Sequence, residues 1–265
     1  MEVRPSDVTG GIADALDGIE AAVGQGRTDL GPLGFWRLVG AVKRDRVLID
    51  EHAEQIGRID TAAFRAGVKL RVPVWAGNLA MVLGMVLGGL CIALSFGAFG
   101  AEAGWLRGLA LIAAGVIWAV AFHCPAHWLV GRAIDIRFTD YFLGGPPPPR
   151  PGLKTDYATY LRADPSSRAW FHASGAIATK VAPFLALVFW PASGAPWWSA
   201  AILLVVGVVQ IATDVRFSVT SSDWKKFLRE KAVARSMEPA LTGPVPVAAP
   251  AAVPVAAPPP VVGDA

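Results

Sequence analysis

The chain has 265 residues, of which 54% are hydrophobic, ten tryptophans and a net charge of only +3. Such a composition is high in apolar residues for a soluble protein, and indole rings favour the membrane–water interface. The small net charge and the lack of a dense basic patch argue against a nucleic-acid partner. Two cysteines, Cys91 and Cys124, are too few for a disulfide framework and indicate reduced thiols.

Residues 1–71 form a polar segment that is predicted to be helical and cytoplasmic. Its first part has apolar residues at helical spacing, at Ile12, Leu16, Ile19 and Val23. After the Gly31-Pro32 break, residues 33–70 predict a second amphipathic helical stretch. Its apolar face could lie on the membrane surface, pack on the cytoplasmic end of a bundle, or be the buried stripe of a solvated helix.

A membrane domain is predicted over residues 72–216, with the lipid bilayer as its surroundings. It contains four apolar runs, and a helix needs roughly 20 residues to cross the hydrocarbon core. The prolines between the last two runs favour a helical hairpin over one long segment. The sequence thus predicts an all-α integral membrane protein with spans at about 72–99, 104–130, 176–190 and 195–213.

Lysine and arginine fall almost entirely on one side of this predicted topology. The outer side has Arg107 alone. By the positive-inside rule, both termini and the long loop between spans two and three lie in the cytoplasm of a multi-pass cell-membrane protein. The cations of that side are Arg58, Arg65, Lys69 and Arg71, then Arg132, Arg137, Arg150, Lys154, Arg162 and Arg168, then Lys225, Lys226, Arg229, Lys231 and Arg235.

Two further segments follow from composition. Residues 217–238 predict a cationic interfacial helix, capped by Ser221-Ser222-Asp223, with Trp224 and Phe227 on its apolar face. Residues 239–265 consist largely of proline, alanine and valine and predict a disordered tail. The proline tract at 144–152 predicts a stiff loop spacer, with a polyproline ligand as the alternative.

The second span contains a candidate metal site. His123 and His127 are four residues apart and share one helix face, the spacing that directs two imidazoles to one ion. Asp214, at the end of the fourth span, is expected at a similar depth. Two imidazoles and a carboxylate would leave a fourth zinc position open, and His172 is a candidate for a further ligand or for a hydrogen-bond partner of one. Alternatively, the histidines meet water or headgroups and Asp214 pairs with Arg216.

Residues 104–216, which contain these side chains, resemble the site-2 protease family of intramembrane zinc metalloproteases. That family carries a His-Glu-x-x-His helix, which is matched by His123-Cys-Pro-Ala-His127, and a later core helix that often opens with Ala-Gly-Pro. Ala173-Ser-Gly-Ala-Ile177 stands where that helix opens here. The resemblance implies that Asp214 is the third zinc ligand, although Thr213-Asp214-Val215 replaces the family's Leu-Asp-Gly motif.

The sequence departs from the family at the catalytic base. Cys124 stands where the family has the glutamate that takes a proton from zinc-bound water, a transfer worth typically 10²–10⁴-fold in rate. The resemblance therefore implies a non-catalytic relative that retains a metal and binds or regulates a transmembrane partner. An atypical active metalloprotease and a structural scaffold subunit are the alternatives.

Overall fold

The computed structural model describes residues 5–97, 103–144, 150–217 and 222–237 of the chain. The structure is mostly helical, at 78%. The predicted tail at 239–265 and the centre of the proline tract lie outside the described residues and stay predictions. In chain order the elements are α1 (Pro5–Gly24), α2 (Phe35–Val42), α3 (Arg46–Gly67), β1 (Arg71–Pro73), α4 (Val74–Ser95), α5 (Gly104–Ala121), α6 (His123–Ala133), β2 (Phe138–Gly144), β3 (Arg150–Thr155), α7 (Tyr157–Arg162), α8 (Pro165–Val188), α9 (Trp190–Ser193), α10 (Trp197–Phe217) and α11 (Asp223–Met237).

Four helical segments of the described chain are long and apolar enough to cross a membrane, as predicted. They are α4, the nearly continuous α5–α6 pair, α8 and α10. The third begins at Pro165 instead of residue 176, because the carboxylate of Asp164 caps it by accepting hydrogen bonds from the backbone amides of Ser166 and Ser167. The chain turns between α8 and α10, which confirms the predicted hairpin.

The outer faces of α4 and α10 are apolar and exposed. Water would penalise such a continuous surface, whereas hydrocarbon would not, and the helices satisfy their own backbone groups. These faces are therefore suited to contact lipid. The exposed side chains include Leu79, Val82, Leu83, Val86, Leu87 and Leu90 on α4 and Val205, Val208 and Val209 on α10.

The N-terminal helices form a small core of their own. The predicted stripe of α1 is buried against α3, and Leu161 of α7 completes the cluster. The expected single helix over 33–70 is instead two helices, because Asp45 caps α3 by accepting from the backbone amides of Val47 and Leu48. Of the three interpretations of the second stretch, the structure supports an apolar face that is buried within the protein.

A three-stranded antiparallel sheet in the order β1-β2-β3 is the main departure from the all-α prediction. Its strands are short, and β2 and β3 flank the proline tract, so the sequence shows no extended alternation of apolar and polar residues. The sheet packs on the start of α4, where Gly77 leaves room for the ring of Tyr141. The Tyr141 hydroxyl donates to Oδ1 of Asn78 at 2.8 Å.

The connectivity brings the first turn of α4, the last turns of α6 and α10 and the first turns of α8 to one end of the bundle. The sheet and α11 belong to this end, which we call the polar end. Within the predicted interfacial segment, the backbone amide of Lys225 donates to Ser222 Oγ at 3.3 Å, and α11 then packs along α8. Phe227 stacks on Trp224 and approaches Trp170 of α8, with ring centroids 5.6 Å apart.

Candidate metal centre

Three side chains converge at the polar end of the bundle. Nε2 of His127 lies 3.2 Å from Oδ2 of Asp223, and Nε2 of His123 lies 3.4 Å from the same oxygen. One ligand atom from each residue can be chosen so that all three lie within 4.8 Å of one another. The group joins two turns of α6 to the first residue of α11.

Hydrogen bonds to α8 orient both imidazoles. Nδ1 of His127 lies 2.8 Å from the carbonyl oxygen of Phe171, which can only accept, so this nitrogen carries the proton. Nδ1 of His123 lies 3.1 Å from the carbonyl oxygen of Gly175 and 3.0 Å from Oγ1 of Thr179, whose own hydroxyl donates to that carbonyl. His123 is therefore protonated at Nδ1 as well. With Nδ1 donating in each ring, both Nε2 atoms face Asp223, where each can hold either a proton shared with the carboxylate or a metal ion, the orientation that metal-ligating histidines commonly show.

The close approach of α8 to α6 depends on Gly175. A Cβ atom at this position would lie 2.2 Å from Nε2 of His127, well inside van der Waals contact. Glycine here is therefore part of the geometry of the site and lets the imidazole lie flat against the neighbouring helix.

Asp223 is held in its ionised form. Burial by itself would raise the pKa of this carboxyl, but the hydrogen bond with His127 and the nearby charge of Lys226 together lower the pKa well below its ordinary value. Nζ of Lys226 contacts the other carboxylate oxygen at 3.1 Å. Asp223 therefore offers Oδ2 to the two imidazoles as an anionic ligand.

This arrangement suits a cation. Each Nε2 lies 3.2–3.4 Å from the carboxylate oxygen, and a nitrogen lone pair at that distance repels the oxygen unless a proton or a metal ion lies between them. Ligand atoms about 2.0–2.1 Å from one zinc ion lie roughly 3.3–3.4 Å apart at the tetrahedral angle, which matches these separations. Three protein ligands would leave one coordination position open.

Asp214, the third ligand expected from the sequence, is not a member of this group. Its Oδ2 forms an ion pair with Nζ of Lys180 on α8. The helix that carries it, α10, packs against α8 and α5, whereas the carboxylate that meets the histidines begins α11. The alternative pairing of Asp214 with Arg216 stays a prediction.

His172 lies beside the group but takes another role. Nε2 of His172 is 2.9 Å from the hydroxyl oxygen of Tyr160, and that hydroxyl donates to Oε1 of Glu230 at 2.8 Å. Nε2 of His172 therefore donates to Tyr160 and cannot ligate a metal through this nitrogen. The residue connects the histidine region to a buried charge cluster.

That charge cluster fastens α11 to the rest of the protein. Glu230 is 4% exposed and forms ion pairs with Arg168, at 2.8 Å, and with Lys43 of the N-terminal core. Burial alone would raise the pKa of Glu230, but the two cations lower it below its ordinary value. Arg168 also donates to the carbonyl oxygens of Leu161 and Ala163. Glu230 thus fixes the helix that carries Asp223.

His123, His127 and Asp223 line a large cavity of about 1680 Å³ that opens at the polar end. Cys124 also lines it, but the thiol is 1% exposed and approaches the carbonyl oxygen of Pro151 on β3 at 3.8 Å. Three acidic residues line the cavity, Asp214, Asp223 and Glu230, and each is ion-paired.

Sequence reasoning found the two histidines and missed Asp223 as a ligand. Asp223 was interpreted only as a helix cap. The signal that could have found it is its position: it follows the fourth span by a few residues and begins a cationic helix that must return toward the same end of the bundle as α6.

The four apolar helices and the His-His-Asp group define a class, a helical membrane-type protein with a potential metal centre at one end of its bundle. Comparison with known protein families, with curated proteins and with solved structures gives no match for this chain.

Proposed function

We propose that this protein is a non-catalytic, metal-binding membrane protein that binds or regulates a membrane partner, with His123, His127 and Asp223 as the ligands. In this proposal it is a multi-pass protein of the cell membrane, with both termini and the polar end in the cytoplasm, and its core resembles that of the site-2 proteases. The observation that carries the metal is the convergence of the two Nε2 atoms on one carboxylate oxygen.

The absence of a general base favours a non-catalytic role. A base must reach the metal-bound water and must have a pKa near the working pH. Among the described residues that line the cavity, Asp223 contacts the histidines and Asp214 forms an ion pair with Lys180, so neither carboxylate is placed to act as the base. Glu230 is held ionised by Arg168 and Lys43, which lowers its pKa and makes it a weaker base. Cys124 is buried against Pro151.

Metal content is the direct test. Full-length protein, purified in detergent and dialysed against zinc-buffered solution, should retain about one zinc ion per chain by elemental analysis. His127→Ala and Asp223→Ala should each weaken binding by more than about 100-fold, because each removes a ligand. Asp214→Asn is the matched control and should keep the metal. Retention of metal by Asp223→Ala with loss in Asp214→Asn would restore the ligand set expected from the sequence.

The second candidate function is an atypical active metalloprotease. The fourth coordination position, which three protein ligands would leave open, favours it. Purified protein incubated with a transmembrane model substrate should give no chelator-sensitive cleavage. Cleavage that a zinc chelator and His127→Ala both abolish would establish the enzyme. Lack of metal in the wild-type protein would instead leave the scaffold subunit as the better description.

A further inference from the structure

A second cavity lies between α8 and α10, on the face that the four-span arrangement turns toward lipid. This groove has a volume of about 320 Å³, and Trp224 of α11 borders its polar end. Its wall is largely apolar and includes Ile177 and Val181 of α8 and Val215 of α10, which are each more than 40% exposed. A groove of this character accepts an apolar ligand from the side.

The groove continues into the large cavity of the polar end. Ala176, Lys180 and Asp214 line both, so the Lys180–Asp214 ion pair stands at their junction. A molecule that enters the groove therefore meets an apolar channel first and charged side chains beyond it.

The lining of the large cavity is cationic. Among its described residues, with the Lys180–Asp214 pair included, lysines and arginines outnumber acidic residues by five to three. Lys43, Lys180 and Lys226 are each paired with a carboxylate. Arg44 and Arg229 are exposed and form no ion pair with another described residue. Two exposed arginines that no described carboxylate neutralises are well suited to bind a phosphate group.

We propose that this continuous groove and cavity bind an anionic phospholipid, with an acyl chain between α8 and α10 and the phosphate at Arg229 and Arg44. The charge complementarity selects an anionic head group, and the apolar groove selects a chain. An extended peptide is disfavoured because α8 and α10 satisfy their own backbone groups and offer none for pairing along the groove. The site does not depend on the metal centre.

Lipid binding to the full chain tests the proposal. Protein in detergent is titrated with phosphatidylglycerol or with phosphatidylcholine, and bound lipid is counted by native mass spectrometry. We expect phosphatidylglycerol to bind at least tenfold more tightly, since its head group carries a net negative charge that choline cancels in phosphatidylcholine, and each arginine near an anionic head group contributes about fivefold. Inorganic phosphate at millimolar concentration should not displace it, because the acyl chain supplies much of the affinity.

Paired variants locate the site. Arg229→Gln should lower the affinity about fivefold, whereas Lys225→Gln on the same helix, outside the cavity lining, should not. Val181→Trp fills the groove and should abolish the preference for phosphatidylglycerol over phosphatidylcholine. Val188 is exposed on α8 beyond the groove, so Val188→Trp should preserve this preference. His127→Ala should bind lipid normally even if it loses metal, which separates this proposal from the metal centre.

Three outcomes would overturn the proposal: equal binding of the two lipids, unchanged binding by Val181→Trp, and displacement of the lipid by inorganic phosphate. Preferential retention of an apolar transmembrane peptide, lost in Val181→Trp, would also overturn it and assign the groove to a protein partner.

Discussion

At the scale of single residues, Gly175 tests whether the geometry of the histidines matters. Alanine in a helix interior is ordinarily more stabilising than glycine, by roughly 0.5–1 kcal/mol. At this position, however, the added Cβ would lie 2.2 Å from Nε2 of His127 and must displace the ring. We expect Gly175→Ala to lower the zinc affinity by about 10- to 100-fold, the range seen when the groups that orient ligands are changed.

The matched control is Gly89→Ala in α4, where a Cβ atom would meet nothing within 4 Å. This variant should keep the zinc affinity of the wild type, with equal or slightly higher thermal stability. The measurement is zinc competition with a chromophoric chelator on both detergent-purified variants. Equal affinity in Gly175→Ala and Gly89→Ala would show that the imidazole position does not determine binding.

At the scale of elements, α11 is held by one buried carboxylate. Loss of Glu230 would leave Arg168, which is fully buried, without its ion-pair partner. Breaking a buried pair in this way costs about 3–5 kcal/mol. We therefore expect Glu230→Gln to release α11, to expose its lysines and arginines to trypsin, and to weaken metal binding because Asp223 moves with the helix.

Glu54→Gln provides the comparison, because Glu54 pairs with Arg162 at an exposed position. Exposed pairs contribute about 0–1 kcal/mol, so trypsin should attack this variant no faster than the wild type. If both variants are cleaved equally slowly, the anchoring role of Glu230 is wrong.

The direction of the Glu230 pKa also predicts a pH dependence. Because the folded-state pKa lies below the ordinary value of 4.5, the stabilisation is fully present above about pH 4.5 and is lost as the pH falls further, through the folded-state pKa. Trypsin is inactive at that pH, so the measurement is hydrogen exchange of α11, expressed as protection relative to the intrinsic exchange rate at each pH. Protection should be constant from pH 7 to 5 and should fall below that, whereas Glu230→Gln should be unprotected throughout.

The elements also show which features follow from sequence. Helical periodicity predicts the four spans, the amphipathic N-terminal helices and the placement of His123 and His127 on one face, because these depend on residues close in the chain. The sheet depends on pairing between residues as distant as Arg71 and Phe142, and the position of Asp223 beside the two histidines depends on the return of α11 along α8. Such contacts are set by tertiary packing and leave no local pattern.

At the scale of the whole molecule, the polar end combines parts from every region of the chain. Lys43, which directly follows α2, pairs with Glu230, and Lys154 of β3 pairs with Asp60. Residues 5–67, the described part of the long loop and α11 are thus joined by buried ion pairs. If the four apolar helices cross a membrane, these segments lie on one side of it, since none can cross without breaking the pairs.

This joined polar end predicts one topology, with both termini in the cytoplasm. Moving its lysines and arginines across the membrane would oppose the positive-inside bias, whereas the α8–α10 turn around residues 191–196 carries no charge. Alkaline phosphatase, which is active only outside the cytoplasm, should be active when fused after residue 194 and inactive when fused after residue 237. Green fluorescent protein should be fluorescent when fused after residue 237 and dark when fused after residue 194. Phosphatase activity at both fusions would mean that α10 does not span the membrane, and the His-His-Asp group could then not form from one side.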